Sequence, residues 1–341
     1  RKVNSINKMY RSTGKRSPIH RKFESINVDC ALFDIDGVIV DIRKSYDFAI
    51  KKTVDFIIRH ITKVSNLNGL VTQEMILKFR RTGGFNNDVD TSYAIILTAL
   101  ANSHENVNQA RKFIYNVASN ADESGIISVE RFLFLSSPSF RNVQKLKELL
   151  AYPGSVGQSI VATFFDEVFY GPELFKKKHR LEPKYYFGMP LIEKDKLVAT
   201  RTAINSLSKI FNGKIAIVSG RSKLAAKYSL NAIFNMFNQR ASIFLEDKSR
   251  KYSKPNPYAI KKAMTTMKAR SAIYVGDSSE DLLMSRKAEK ETGAKITFFG
   301  IYGCSAKPAD TIRQFKKNGA DAIIENVNQL PNILNKVSTK L

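Results

Sequence analysis

Two aspartates separated by one residue, Asp34 and Asp36, follow the apolar run Val28 to Phe33 and precede Gly37. On an extended strand exit, alternation points both side chains the same way. Gly37 then allows a sharp turn. Carboxylates this close repel each other, so a divalent cation or a shared proton is the natural compensation. A second run, Ile215-Ala216-Ile217-Val218, leads directly into Ser219-Gly220-Arg221. A hydroxyl and bare amides at such a junction suit a phosphate oxygen. In Lys254-Pro255-Asn256-Pro257 the prolines stiffen the backbone and fix where the Lys254 ammonium stands. Finally, Ile273-Tyr274-Val275 leads into Gly276-Asp277-Ser278-Ser279-Glu280-Asp281, adding hard oxygen ligands of the kind magnesium prefers.

Singly, each pattern has a bland reading as a turn, a solvated loop or a helix cap. Together they sit at the ends of strand-like runs, and in open parallel sheets ligands bind outside the carboxyl ends of the strands. The elements that must position them are read from periodicity. Strand-like segments are Val28–Phe33, Lys214–Val218, Ser242–Leu245, Ser271–Val275, Lys295–Phe299 and Asp321–Ile324. Helical patterns at Lys223–Phe237, Pro257–Lys268 and Asp281–Glu291 separate the later ones. Strands alternating with helices predict an α/β fold, a Rossmann-like parallel sheet flanked by helices. From Asp41 to about Arg201 the texture becomes helical throughout, with breaks at Gly83-Gly84, Ser136-Ser137-Pro138, Pro153-Gly154 and Gly171-Pro172. The expected organisation is a basic, flexible tail over residues 1–26, an α/β core over 27–42 and 201–341, and an inserted helical domain over 43–200.

The order and content of these motifs resemble the haloacid dehalogenase superfamily, over residues 28–50 and 201–341. An insertion between the first two motifs resembles the branch with a helical cap of the first type. Gly83-Gly84-Phe85-Asn86-Asn87-Asp88 looks like a motif of a small subfamily of that branch. The resemblance implies a magnesium-dependent phosphatase in which Asp34 is the nucleophile and forms an aspartyl-phosphate. Asp36 would be the general acid and base. Ser219, Gly220 and Lys254 would bind the transferring phosphoryl group. Magnesium would be held by Asp34, the backbone carbonyl of Asp36 and Asp277, with Asp281 as a further or outer ligand. Arg81, Asn86, Asn87 and Asp88, beside the Gly-Gly pair, are candidates to reach the substrate from the cap. Their alternative reading is a helix–helix turn capped by Asn and Asp.

Composition narrows the partners less than the motifs do. With 43% hydrophobic and 25% charged residues the chain is a globular protein. No apolar run approaches the ~20 residues of a membrane span, and no signal-peptide pattern is read, so a cytoplasmic location without membrane contact is expected. Cys30 and Cys304 are far apart, and the four histidines lack ligand spacing, which leaves no zinc or disulfide framework. A net charge of +24 attracts anions, and residues 1–26 hold eight Lys or Arg against one Glu. The expected partner is a small phosphorylated metabolite, of which phosphoglycolate and sugar phosphates are the first classes, acted on by a monomer or homodimer. The alternatives are a phosphomutase of the β-phosphoglucomutase type, since those enzymes also keep both aspartates, and a basic nucleic-acid-binding protein on a phosphatase scaffold.

Overall fold

The structure, a computed structural model, describes residues 20–21, 28–85, 87–102, 104–136 and 140–338. Its centre is a seven-stranded sheet. The strands are β1 (His20–Arg21), β2 (Cys30–Phe33), β5 (Ile215–Ser219), β6 (Ile243–Phe244), β7 (Ser271–Gly276), β8 (Lys295–Ile301) and β9 (Ala322–Ile324). They run in the spatial order β1-β9-β8-β7-β2-β5-β6. All neighbours are parallel except β1, which pairs antiparallel to β9 through His20↔Ile323 and Arg21↔Ala322. Strands covered on both faces read as continuous apolar runs. Cys30–Phe33 and Ile215–Ser219 are accordingly buried at every position. The remaining residues of the expected tail, apart from this short strand, lie outside the described residues.

The helices of the α/β layer are α8 (Arg201–Ile210), α9 (Lys223–Leu230), α10 (Tyr258–Thr266), α11 (Ser279–Thr292), α12 (Pro308–Lys317) and α13 (Leu330–Ser338). The apolar core divides into two clusters, one on each face of the sheet. The helical pattern expected over Lys223–Phe237 is shorter than read. It stops at Leu230, and a 3₁₀ turn occupies Asn231–Met236. Asn231 adopts a φ of +40°, which an asparagine tolerates and which ends regular α-helix.

Between the first strand and the rest lie α1 (Tyr46–Phe56), α2 (Gln73–Arg80), α3 (Asp88–Ala101), α4 (Val107–Asn120), α5 (Ile126–Ser136), α6 (Phe140–Leu150) and α7 (Ile160–His179). They share a third apolar cluster, to which the α/β layer contributes Ala225. Helix α3 is buried nearly all round and packs against α1, α4, α5, α6 and α7, which explains why its run Tyr93–Ala101 is apolar on every face. Helix α7 is interrupted at Gly171-Pro172. Gly171 takes φ +66°, and a Cβ there would lie 2.7 Å from the Pro190 ring. Where the chain leaves and re-enters the α/β layer, β3 (Val40–Asp41) and β4 (Lys196–Leu197) form a two-residue antiparallel ribbon. No helix among the described residues is long and apolar enough to cross a membrane.

Candidate active site

Strand register brings the motifs together. Phe33 on central β2 is level with Ile217 of β5 and Val275 of β7. One residue further, the Asp34 amide donates to the Val275 carbonyl at 3.0 Å. Asp34, Ser219 and Asp277 therefore leave three adjacent strands, ~5 Å apart, at one carboxyl edge.

Asp34 is buried, and its carboxylate is held at both oxygens. Oδ1 accepts from the Ile35 amide at 2.8 Å, and Oδ2 lies 2.8 Å from Lys254 Nζ. The same ammonium lies 2.7 Å from Asp281 Oδ1. Asp281 is fully engaged. Its Oδ1 also accepts from the Tyr274 hydroxyl at 2.9 Å, and its Oδ2 accepts from the Ser278 hydroxyl at 2.7 Å in a capping box that starts α11. Asp277 differs, because no hydrogen-bond donor meets its carboxylate among the described residues. Burial pushes the Asp34 carboxyl up to about 7, against the pull of Lys254, and Asp281 and Asp36 add to the rise. Asp277 is raised in the same direction, first by burial and then by Asp281 and Asp34.

One oxygen from each of Asp34, Asp277 and Asp281 lies within 4.8 Å of the others. Three carboxylates around one ammonium leave an excess of negative charge in a buried place, and Asp277 has its lone pairs free. A divalent cation fits that donor set, with Asp277 the open ligand and Asp281 already committed to its neighbours. Gly37 is part of the fit, since it has φ +73° and a Cβ there would come within 1.9 Å of Asp277 Oδ2.

Asp36 turns away from this cluster. Its Oδ1 accepts from Arg221 Nε at 2.5 Å, so its side chain faces a guanidinium. Burial raises the Asp36 carboxyl and Arg221 opposes that rise. Ser219 is buried with its hydroxyl near the Arg221 amide, 3.4 Å away, whereas Gly220 is exposed with open space where a side chain would be.

The helical segment meets the site through α2 and α3. Arg80, the last residue of α2, donates from Nη1 to Asp47 at 2.8 Å and from Nη2 and Nε to Asp88 at 2.8 and 3.1 Å. Asp88, one of the four cap candidates, is thus bound to Arg80, and its charge bears on Asp36 and Glu280. Asn87 caps α3, its side chain accepting from the Val89 amide at 2.9 Å. Arg81 reaches Asp310 on α12 at 3.4 Å, and its Nε and Nη2 have no hydrogen-bond partner among the described residues. Asn86 lies outside the described residues. Sequence reasoning gave no role to Arg221, Asp195, Arg80 or Asp47. Arg221 stood inside a quoted motif, but its partners are distant in the chain and carry no local pattern.

Residues 28–289 match the family model described as haloacid dehalogenase-like hydrolase, and the chain belongs to that family. It is therefore an enzyme of the hydrolase class, in a family whose members typically use a divalent metal. Many solved structures share the fold, among them these two. One is a structural-genomics target, 15% identical with a TM-score of 0.58 over 92% of this chain and 100% of that one. The other is phosphatase Tt82 from Thermococcus thioreducens, 20% identical with a TM-score of 0.53 over 85% of this chain and 99% of that one. No curated protein matches the chain.

Proposed function

We propose that this chain is a magnesium-dependent phosphohydrolase, acting on a small phosphorylated metabolite through an aspartyl-phosphate on Asp34, with residues 43–200 as its cap. The observation that carries the reading is the setting of Asp34. It is a buried carboxylate at the end of the central strand, paired with Lys254 at 2.8 Å and within reach of Asp277 and Asp281. The phosphatase from Thermococcus thioreducens, of like fold, supports the same class.

In this mechanism Asp34 attacks phosphorus while the bond to the leaving oxygen breaks, and Asp36 protonates that oxygen. Asp36 then takes a proton from the water that attacks the aspartyl-phosphate, which frees Asp34. Ser219, the Gly220 amide and Lys254 bind the phosphoryl oxygens as their charge grows. Asp34, Asp277, Asp281 and the Asp36 carbonyl would hold magnesium, which supplies positive charge that lets the anionic nucleophile and the anionic phosphate approach.

Phosphate release from a panel of phosphorylated metabolites, including phosphoglycolate and sugar phosphates, tests this with and without magnesium. The unmodified chain is expected to turn over at least one member, and Asp34→Asn to lose about 10⁴-fold or more. Activity that survives in Asp34→Asn refutes the nucleophile. A product that is isomerised rather than hydrolysed moves the chain to the mutases.

A further inference from the structure

Arg221 is almost wholly enclosed, 1% exposed, and has a place in three parts of the fold. Its Nε holds Asp36 at 2.5 Å. Its Nη1 donates to Asp195 Oδ2 and to the Ser229 hydroxyl, both at 2.7 Å. Asp195 immediately precedes β4, where the chain re-enters the α/β layer, and Ser229 also donates to it at 2.6 Å. Its other oxygen accepts from Ser45 at 2.5 Å, and Ser45 precedes α1, where the chain departs. Two aromatic rings of the helical segment complete the cage. Tyr46 and Phe169 are stacked 4.1 Å apart and lie 5.2 and 6.0 Å from the guanidinium.

This arrangement is poorly explained by stability. A buried ion pair seldom recovers its desolvation cost against a well-packed apolar replacement. Arg221 also leaves Nη2 without a hydrogen-bond partner among the described residues, which adds to the cost.

We propose that Arg221 is a positioning residue for Asp36, set in place by both chain crossings through Asp195 and Ser45. The inference rests on the hydrolytic reading above. By binding Oδ1, Arg221 fixes the rotation of the Asp36 carboxyl and leaves Oδ2 to carry the proton. As Asp34 bonds to phosphorus, the electron pair of the breaking P–O bond goes to the leaving oxygen. The proton on Asp36 Oδ2 moves to that oxygen, and Arg221 keeps all of its own protons. Displacement of the crossing residues would misalign the proton donor without touching the nucleophile.

Leaving groups separate this role from a general structural one. p-Nitrophenolate departs without a proton, whereas an alkoxide does not. We would compare p-nitrophenyl phosphate with the alkyl phosphate hydrolysed fastest in the panel, using the magnesium-loaded full chain. Arg221→Met should lose about 10²-fold in kcat on the alkyl ester, as general-acid loss does, and less than about fivefold on the aryl ester, with KM little changed. Asp195→Asn and Arg221→Lys should show the same selective loss in milder form, and they decide the matter if Arg221→Met does not fold. Asp36→Asn combined with Arg221→Met should be no worse than Asp36→Asn alone. Equal losses on both esters, no loss on either, or additive losses would overturn the role of Arg221 while Asp34→Asn still reports the hydrolase. No turnover of any alkyl ester by the unmodified chain would overturn the parent reading and this inference with it.

Discussion

The ammonium of Lys254 lies 2.8 Å from the carboxylate of Asp34, and both side chains are almost completely removed from solvent. Lys254 reaches Asp281 as well, so one cation serves the acidic cluster. Lys254→Met would leave Asp34, Asp277 and Asp281 without a cationic partner among the described residues. Without metal, it should unfold with about 3–5 kcal/mol less stability, as when one partner of a buried pair is removed. Saturating magnesium should raise the Tm of Lys254→Met more than that of the unmodified chain. An equal rise in both would show that Lys254 does not neutralise the cluster.

Acidity gives a second test. Burial raises Asp34 to about 7 and Asp277 in the same direction. A carboxyl raised in the folded state contributes stability below its unfolded pKa, near 4, and loses that contribution as pH climbs through the folded value. The chelated chain should therefore lose stability between about pH 4 and pH 7 through Asp34, with Asp277 acting in the same direction. Lys254 is also raised, but its linkage lies above pH 10 and does not enter this window. Denaturant unfolding of the unmodified chain and Asp34→Asn across the window measures the difference. Parallel curves would remove Asp34 as a source of the slope.

Gly37 is the third site. An alanine there would carry a positive φ and drive its Cβ into Asp277 Oδ2. Gly37→Ala should destabilise by roughly 1–3 kcal/mol. It should also weaken the stabilisation by magnesium, read as a smaller rise in Tm at a fixed metal concentration. A variant with normal metal response would mean that Asp277 is not held against this turn.

The Arg80 bridge makes a fourth. Its guanidinium is partly open to solvent, which screens it, so Asp47→Ala should cost about 1–3 kcal/mol rather than the full value for a buried pair. A double-mutant cycle of Asp47→Ala with Arg80→Met should show coupling above about 0.5 kcal/mol. Additive effects would show that the contact contributes nothing to folding.

The sheet and its edge of polar residues could be read from the chain because each piece is local. Asp34, Ser219 and Asp277 each end or follow an apolar run, and parallel pairing turns that shared position into proximity. Arg221 lay in plain view but its meaning did not, because Asp36 is 185 residues away and Asp195 is 26. The bridge of Asp47, Arg80 and Asp88 is likewise a product of helix packing. Asn87 shows the opposite limit, since its bond to the Val89 amide is the short-range capping that the sequence offered as the alternative to substrate contact. The two-residue ribbon Val40–Asp41 with Lys196–Leu197 is too short to leave any periodicity.

The strand His20–Arg21 lies along the outer side of β9. The opposite border, Ile243–Phe244, is only two residues long and offers little template for another chain. A truncation beginning at Val28, chosen to strip the basic residues, would bare the outer backbone of Ala322 and Ile323, in the apolar strand Ala322–Ile324. Such a chain would expose an adhesive border, and self-association rather than altered chemistry is the outcome to expect from it.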